Sequence, residues 1–206
     1  MLKDFDALSL VQWHDARLND PGWPTPASSA LWRWIESNHR HNCLLWDEED
    51  RARRTDAGSA AIAASKRLID QHNQLRNDAV EFIDEALLAQ FASVELLPGA
   101  RLSSETAGAM IDRLSILALK IFHMHAQTRR SEAGAEHVAA CTAKLHRLVA
   151  QRHDLACCLD RLLFEAAAGQ AYFKVYRQFK MYNDPALNPW LYGGAAPAQQ
   201  RSGAAP

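Results

Sequence analysis

Acids, amides and one histidine recur along this chain at helical spacing, and their types suit cation and phosphate chemistry. On a wheel of 100° per residue, Lys66, Asp70, Asn73, Asn77, Glu81 and Asp84 share an arc of about 80°. Upstream, Asn42, Trp46, Glu49 and Arg53 fall on one face, and downstream Glu105, Asp112 and His123 align, with Ser115 beside them and Lys120 at the edge. Oxygen-rich sets of this kind suit Mg²⁺ or Mn²⁺, which take carboxylates and bridge to a substrate phosphate. Glu49, Asp70, Glu81 and Asp84 are the expected metal ligands, and Asp112 or His123 the expected general base. Asn42, Asn73, Asn77 and Lys120 would hold a phosphorylated small molecule.

A charged helical stripe is usually a solvated face. Here the arc of Asp70 to Asp84 runs on into Leu87, Leu88 and Phe91, which an outward face would expose. Asparagine is also a poor helix former beside the Lys, Glu or Gln of solvent faces, which points to a need for its amide. An inward stripe with a polar centre is therefore expected. Buried carboxylates must be protonated, paired or metal-bound, and Arg53, Lys66, Arg113 and Lys120 nearly match them in number, so self-compensation is the alternative to a cation. His123 is equally readable as a hydrogen-bonded packing residue. Arg147, Asp154, Arg161 and Glu165 alternate in sign and read as a surface ion-pair ladder.

Near the C-terminus, Tyr176, Arg177, Lys180 and Asn183 form a second hydrogen-bonding cluster. Arg177 and Lys180 lie three residues apart, suited to phosphate, with Tyr176 to stack a base or sugar. The alternative is a helix end whose cations complement the dipole and whose Asn183-Asp184-Pro185 stops it.

Other chemistries find little support. A ferritin-like di-iron site needs Glu-x-x-His on two helices, a pair the chain lacks. Glu81-Phe-Ile-Asp84 is a Glu-x-x-Asp element of the sort that binds magnesium in helical nucleotide pyrophosphatases, and it is short enough to recur by chance. No Gly-rich phosphate loop or GxSxG elbow is present. Cys43, Cys141, Cys157 and Cys158 form no CxxC pair, which predicts reduced thiols.

The elements that must position these residues are helices. Proline and glycine punctuate the chain at 21–26, at Gly58, at 98–99 and at 185–189, and apolar residues recur at helical spacing between. The spacing predicts a short helix over roughly 5–18 and four long ones: from about 26 to the low fifties, 57–93, 103–130, and 132 to about 181 with a kink near Gly169. Short connections imply an all-α, antiparallel bundle of four long helices with a short N-terminal helix packed across it. Residues 1–192 read as one domain, and the small polar segment 193–206 as a flexible, disordered tail.

Of 206 residues 48% are apolar, enough for one buried core. A net charge of −1 provides no field for nucleic acid or an anionic membrane. No run approaches the ~20 apolar residues of a membrane span, and MLKDFDALSL lacks the pattern of a signal peptide, so the expectation is a cytoplasmic protein.

Four blocks stand in order along the chain: Asn42-Cys-Leu-Leu-Trp46 with Glu49-Asp50 and Arg53-Arg54; Lys66-Arg67 through Asp70, Asn73-Gln74, Arg76-Asn77 and Glu81; Ser104-Glu105 through Met110 to Leu117, Lys120 and His123; and Tyr176-Arg-Gln to Asn188-Pro189. Over roughly 25–190 the chain resembles a bacterial family, domain of unknown function 4254. The resemblance implies a helical fold, assigns no mechanism, and carries an association with glycosyltransferase and envelope-polysaccharide genes. Residues and resemblance together lead to a divalent-cation-dependent enzyme acting on a phosphorylated or nucleotide-linked sugar in envelope glycan assembly. The competing expectation is a non-catalytic helical module, alone or as a homodimer, that binds glycan-assembly enzymes.

Overall fold

The computed structural model describes residues 5–20, 29–177 and 186–187. Two units divide the chain, Met1–Val175 and Tyr176–Pro206, and every described helix belongs to the first. The expected start of the first long helix at Thr25-Pro26 lies outside the described residues.

Five helices carry the fold: α1 (Ala7–Asn19), α2 (Ala30–Ala52), α3 (Ser59–Gln90), α4 (Ala107–Thr128) and α5 (Ala135–Ala167). Side-chain oxygens cap three of them, satisfying backbone N–H groups that a helix leaves orphaned. Asp6 accepts from Ser9, Ser29 from Trp32, and Thr106 from Ala109. The last cap corrects the expected start near Ser103 or Ser104.

The final helix ends at Ala167, well short of the expected 181. Gly169 takes φ +69, and Gln170 N–H bonds back to Glu165 O at 2.8 Å while Gly169 N–H bonds to Ala166 O at 3.1 Å. That is the Schellman pattern, in which a left-handed residue closes the last turn. A Cβ on Gly169 would stand 2.3 Å from Glu95 O, so the close approach also requires glycine. The chain then pairs residue by residue with the α3–α4 connection: strand β1 (Arg101–Leu102) runs parallel to β2 (Ala171–Tyr172). This two-residue ladder has no sequence signature.

Consecutive helices α2 and α3 run antiparallel, since Trp34 stacks on Phe82 and His41 faces His72 further back along α3. In contrast α2 and α4 run the same way, Asn38 meeting Asp112 and Trp46 meeting His123. Helix α1 lies antiparallel to α5, fixed by Ala7 N–H to Asp160 (2.8 Å) and Arg152 to Asp15 (2.6 Å). Its Trp13, and Phe5 just before it, pack tilted or edge-on against Trp32 of α2. Leu10, Ile35, Ile83, Leu87, Ile111, Leu114, Leu159 and Leu162 form the core. Burial of a side chain this size stabilises the fold by roughly 1.5–3 kcal/mol. No described helix is long and apolar enough to cross a membrane.

Candidate functional site

At mid-height the core turns polar. Asn38 and Asn42, one turn apart on α2, both donate Nδ2 to Asp112 Oδ1 of α4, at 2.8 and 2.9 Å. Asn42 Nδ2 also lies 3.0 Å from Ser115 Oγ, which stands 2.7 Å from His39 Nδ1. From α3, Arg76 brings Nε to 3.9 Å from the same Asp112 oxygen. Asn38, Asn42, Asp112, Ser115 and His39 thus each have a partner, which burial demands. Ser115 is wholly enclosed, so its hydroxyl serves this network rather than a substrate.

His39 continues the network to α1, its ring 4.5 Å from that of His14. Burial lowers the His39 pKa to about 4, against an opposing hydrogen bond to the His14 backbone. Burial drives His14 well down too, reinforced by His39 and Arg152, and neither of its ring nitrogens has a hydrogen-bond partner among the described residues. Both imidazoles are neutral at pH 7. By spacing alone His39 reads as a surface or packing residue, because its partners lie on other helices. Glu36 and His39 do have Glu-x-x-His spacing, but His39 faces Ser115.

Two cavities open above this layer, one on either side of Trp46. The larger, about 600 Å³, lies between α2, α4 and α5, with Lys120, His123, Lys144, Arg147 and Gln151 on its wall beside Trp46. The Trp46 and His123 rings stack in parallel, centroids 4.3 Å apart and planes within 2°. None of Lys120, Lys144 and Arg147 has an ion-pair or hydrogen-bond partner among the described residues, and Asp50 is the one acid on the wall. Burial lowers the His123 pKa, while the nearby carboxylates of Asp50 and Asp47 pull the other way. The smaller cavity, about 370 Å³, lies between α2, α3 and α4 and is lined by Asn42, Glu49, Arg53, Asn73 and Arg76.

The sequence-predicted residues are thereby redistributed. Lys120 and His123 share the larger cavity; Asn42, Glu49 and Asn73 share the smaller. Asp112 lies between Asn38, Asn42 and Arg76. Of the α3 stripe, Lys66 and Asp70 are exposed, Asn73, Asn77 and Glu81 are half-buried, and Asp84 is buried. The inward reading therefore fails at the N-terminal end of the stripe, where Asp70 faces solvent. Asp84 accepts from Gly108 N–H at 2.6 Å, so its carboxylate ties down the start of α4. Burial raises its pKa to about 6 against the hydrogen bonds from Thr106 and Gly108. Glu49 pairs with Arg53 at 2.9 Å. Among the described residues no three His, Cys, Asp or Glu side chains form a group able to hold a metal ion. Tyr176 and Arg177 are exposed residues of the second unit, and Lys180 and Asn183 lie outside the described residues.

Of the cationic lining residues, Lys144 is not singled out by the sequence, and Arg147 is singled out only for a different role. Arg147 reads by sequence as part of an ion-pair ladder, of which the structure shows, among the described residues, the pair of Glu165 with Arg161 at 2.7 Å, and Glu165 also pairs at 2.7 Å with Arg101, which lies outside that ladder. The one sequence signal of Lys144 and Arg147 is the i, i+3 spacing of two cations. The four cysteines are free, and burial, reinforced by Asp47, pushes the Cys43 thiol up to about 12, leaving it a poor nucleophile.

The family model described as protein of unknown function (DUF4254) matches residues 32–175, the span that holds both cavities and the Asp112 network. The chain belongs to this family. No curated protein and no solved structure matches it. In this DUF4254 member the match begins at Trp32, so it leaves out α1, whose His14 faces the network's last imidazole.

Proposed function

We propose that the cavity between α2, α4 and α5 binds a phosphorylated or nucleotide-linked sugar and that His123 is the base of a reaction on it. The observation that carries this reading is the meeting of Lys120, Lys144 and Arg147, all without partners among the described residues, on one cavity beside the Trp46–His123 stack. Unpaired cations around a concave surface favour an anion, and Arg offers phosphate two parallel N–H donors. The flat wall suits a ring. A lowered pKa keeps His123 neutral at physiological pH, the form that accepts a proton.

A divalent cation, where one takes part, fits as a companion of the phosphate. Mg²⁺ keeps several waters and binds through one or two carboxylates plus phosphate oxygens, and Asp50 is the carboxylate on this wall. A role in envelope glycan assembly rests on the family association alone.

Thermal melts of the full chain with inorganic pyrophosphate and with UDP, each with and without Mg²⁺, test the binding. A ligand of the folded state raises Tm, so at millimolar concentration both should raise it. Lys144→Ala with Arg147→Ala should abolish the rise. Unchanged melting with every ligand would end the reading. The rival, a binding module without chemistry, has in its favour that Asp112 is tied into hydrogen bonds. It predicts that His123→Gln changes nothing but affinity, whereas a base predicts lost turnover with binding retained.

A further inference from the structure

The smaller cavity has a different chemistry. Asn42 is 4% exposed, and its side-chain hydrogen bonds among the described residues all leave from Nδ2. A carboxylate only accepts, so Asp112 fixes the direction of this amide: nitrogen toward Asp112, and Oδ1 left as the acceptor that Asn42 can offer to the cavity it lines. No described residue donates to that oxygen. Asn73, on the facing helix α3, contributes a second amide that makes no hydrogen bond among the described residues. Charges on this wall are balanced, Glu49 and Asp50 against Arg53 and Arg76, with Glu49 paired to Arg53 and Arg76 beside Asp112. Arg76 Nε is itself enclosed without a hydrogen-bond partner among the described residues.

A wall with balanced charge, a free amide oxygen on Asn42 and an amide on Asn73 without partners among the described residues has little to attract an anion and much to match hydroxyls, each of which both donates and accepts. We propose that this cavity is a hydroxyl-binding subsite that takes the neutral, polyhydroxylated part of the ligand, the sugar itself, while the cationic cavity across Trp46 takes its phosphate. The phosphate half rests on the function proposed above; the sugar half stands on Asn42 and Asn73. Trp46 and Asp50 line both cavities, so one ligand can reach across that shared wall.

The test separates the two halves. Side-chain amide resonances of Asn42 and Asn73 are followed in ¹H–¹⁵N spectra of the full chain during titration with methyl glycosides of glucose, galactose, mannose and N-acetylglucosamine, none of which carries phosphate. At least one glycoside should shift both amides saturably. Asn73→Ala should weaken that binding at least fivefold, and Lys144→Ala with Arg147→Ala should leave it unchanged. Asn73 is the chosen position because Asn42→Ala would unpair Asp112 and endanger the fold. Absence of a shift with every glycoside, or a shift indifferent to Asn73→Ala, overturns the subsite whatever pyrophosphate does. A separate titration with pyrophosphate reports on the cationic cavity: failure there removes the phosphate reading and leaves a sugar site detected by the glycosides in place.

Discussion

The two cavities beside Trp46 share a wall and differ in what supports them. The larger is lined by exposed cations on long side chains that bond to no other described residue, so its chemistry is nearly independent of the fold. The smaller rests on Asn42 and Arg76, whose polar atoms converge on Asp112 in the core. One set of residues is available to a ligand without cost to stability; in the other, Asn42 serves recognition through Oδ1 and stability through Nδ2. Mutations should therefore separate binding from stability throughout the first cavity, and in the second at Asn73 but not at Asn42.

The largest expected effect is at Asp112. Asp112→Ala strips the acceptor from two buried amides and the counter-charge from Arg76, and should lower unfolding stability by about 3 kcal/mol. Urea denaturation measures it, and a loss under about 1 kcal/mol would erase the contrast. Next comes Lys144→Ala with Arg147→Ala: pyrophosphate affinity should fall about 100-fold, roughly 2.7 kcal/mol, with stability within about 0.5 kcal/mol of the parent as for other surface changes. A matching loss of stability would show that these cations are structural.

Acid should act on the network side. His14 and His39 have folded-state pKa values below the ordinary 6.5, so the folded protein binds fewer protons than the unfolded chain. Their contribution is complete above pH 6.5 and is lost as pH falls through the window between 6.5 and about 4, where His39 takes up its proton. Asp84, raised to about 6, works oppositely between there and its ordinary 3.8, since its folded form gains a proton first. The two histidines outweigh the one carboxylate, and His41 and His123, lowered by burial as well, act in their sense, so stability has a positive net slope with pH, readable from urea midpoints between about pH 4 and 7. His39→Gln should flatten it; an unchanged slope would place the acid sensitivity elsewhere. The smallest effect belongs to Trp46→Phe, which keeps an aromatic face toward His123. It should cost about 1 kcal/mol or less and alter pyrophosphate and glycoside binding together by a few-fold; a change in one alone would show that Trp46 serves a single cavity.

The helices are legible in the sequence because apolar period and Pro/Gly punctuation are local properties. Gly169 marks the true end of α5, although the helical pattern beyond it suggests continuation; a left-handed glycine closing the turn outweighs propensity. The site is legible in part. Asn42, Asn73, Lys120 and His123 stand out through their arcs and do line the cavities. Asp70 is drawn inward by the company of Asn77 and Asp84, yet a wheel carries no information on which stretch of a face a neighbouring helix covers. Lys144 and Arg147 give no sign of their place in the cavity, because exposed cations on α5 look alike until α4 is placed beside them.

The sequence by itself determined that this chain forms long helices with amides and acids on shared faces, since 3.6-residue periodicity and capping groups act within a few residues. Tertiary structure decided which of those faces meet. Asp112 lies 74 residues from Asn38 and 70 from Asn42, and no spacing rule reaches across such separations. The parallel run of α2 beside α4 made that carboxylate the centre of a hydrogen-bonded layer, left Asn42 Oδ1 without a partner among the described residues, and set Trp46 against His123 between the two cavities. The physical reason is that helix formation follows local backbone bonds, while a binding site is made by side chains whose proximity depends on how whole helices pack.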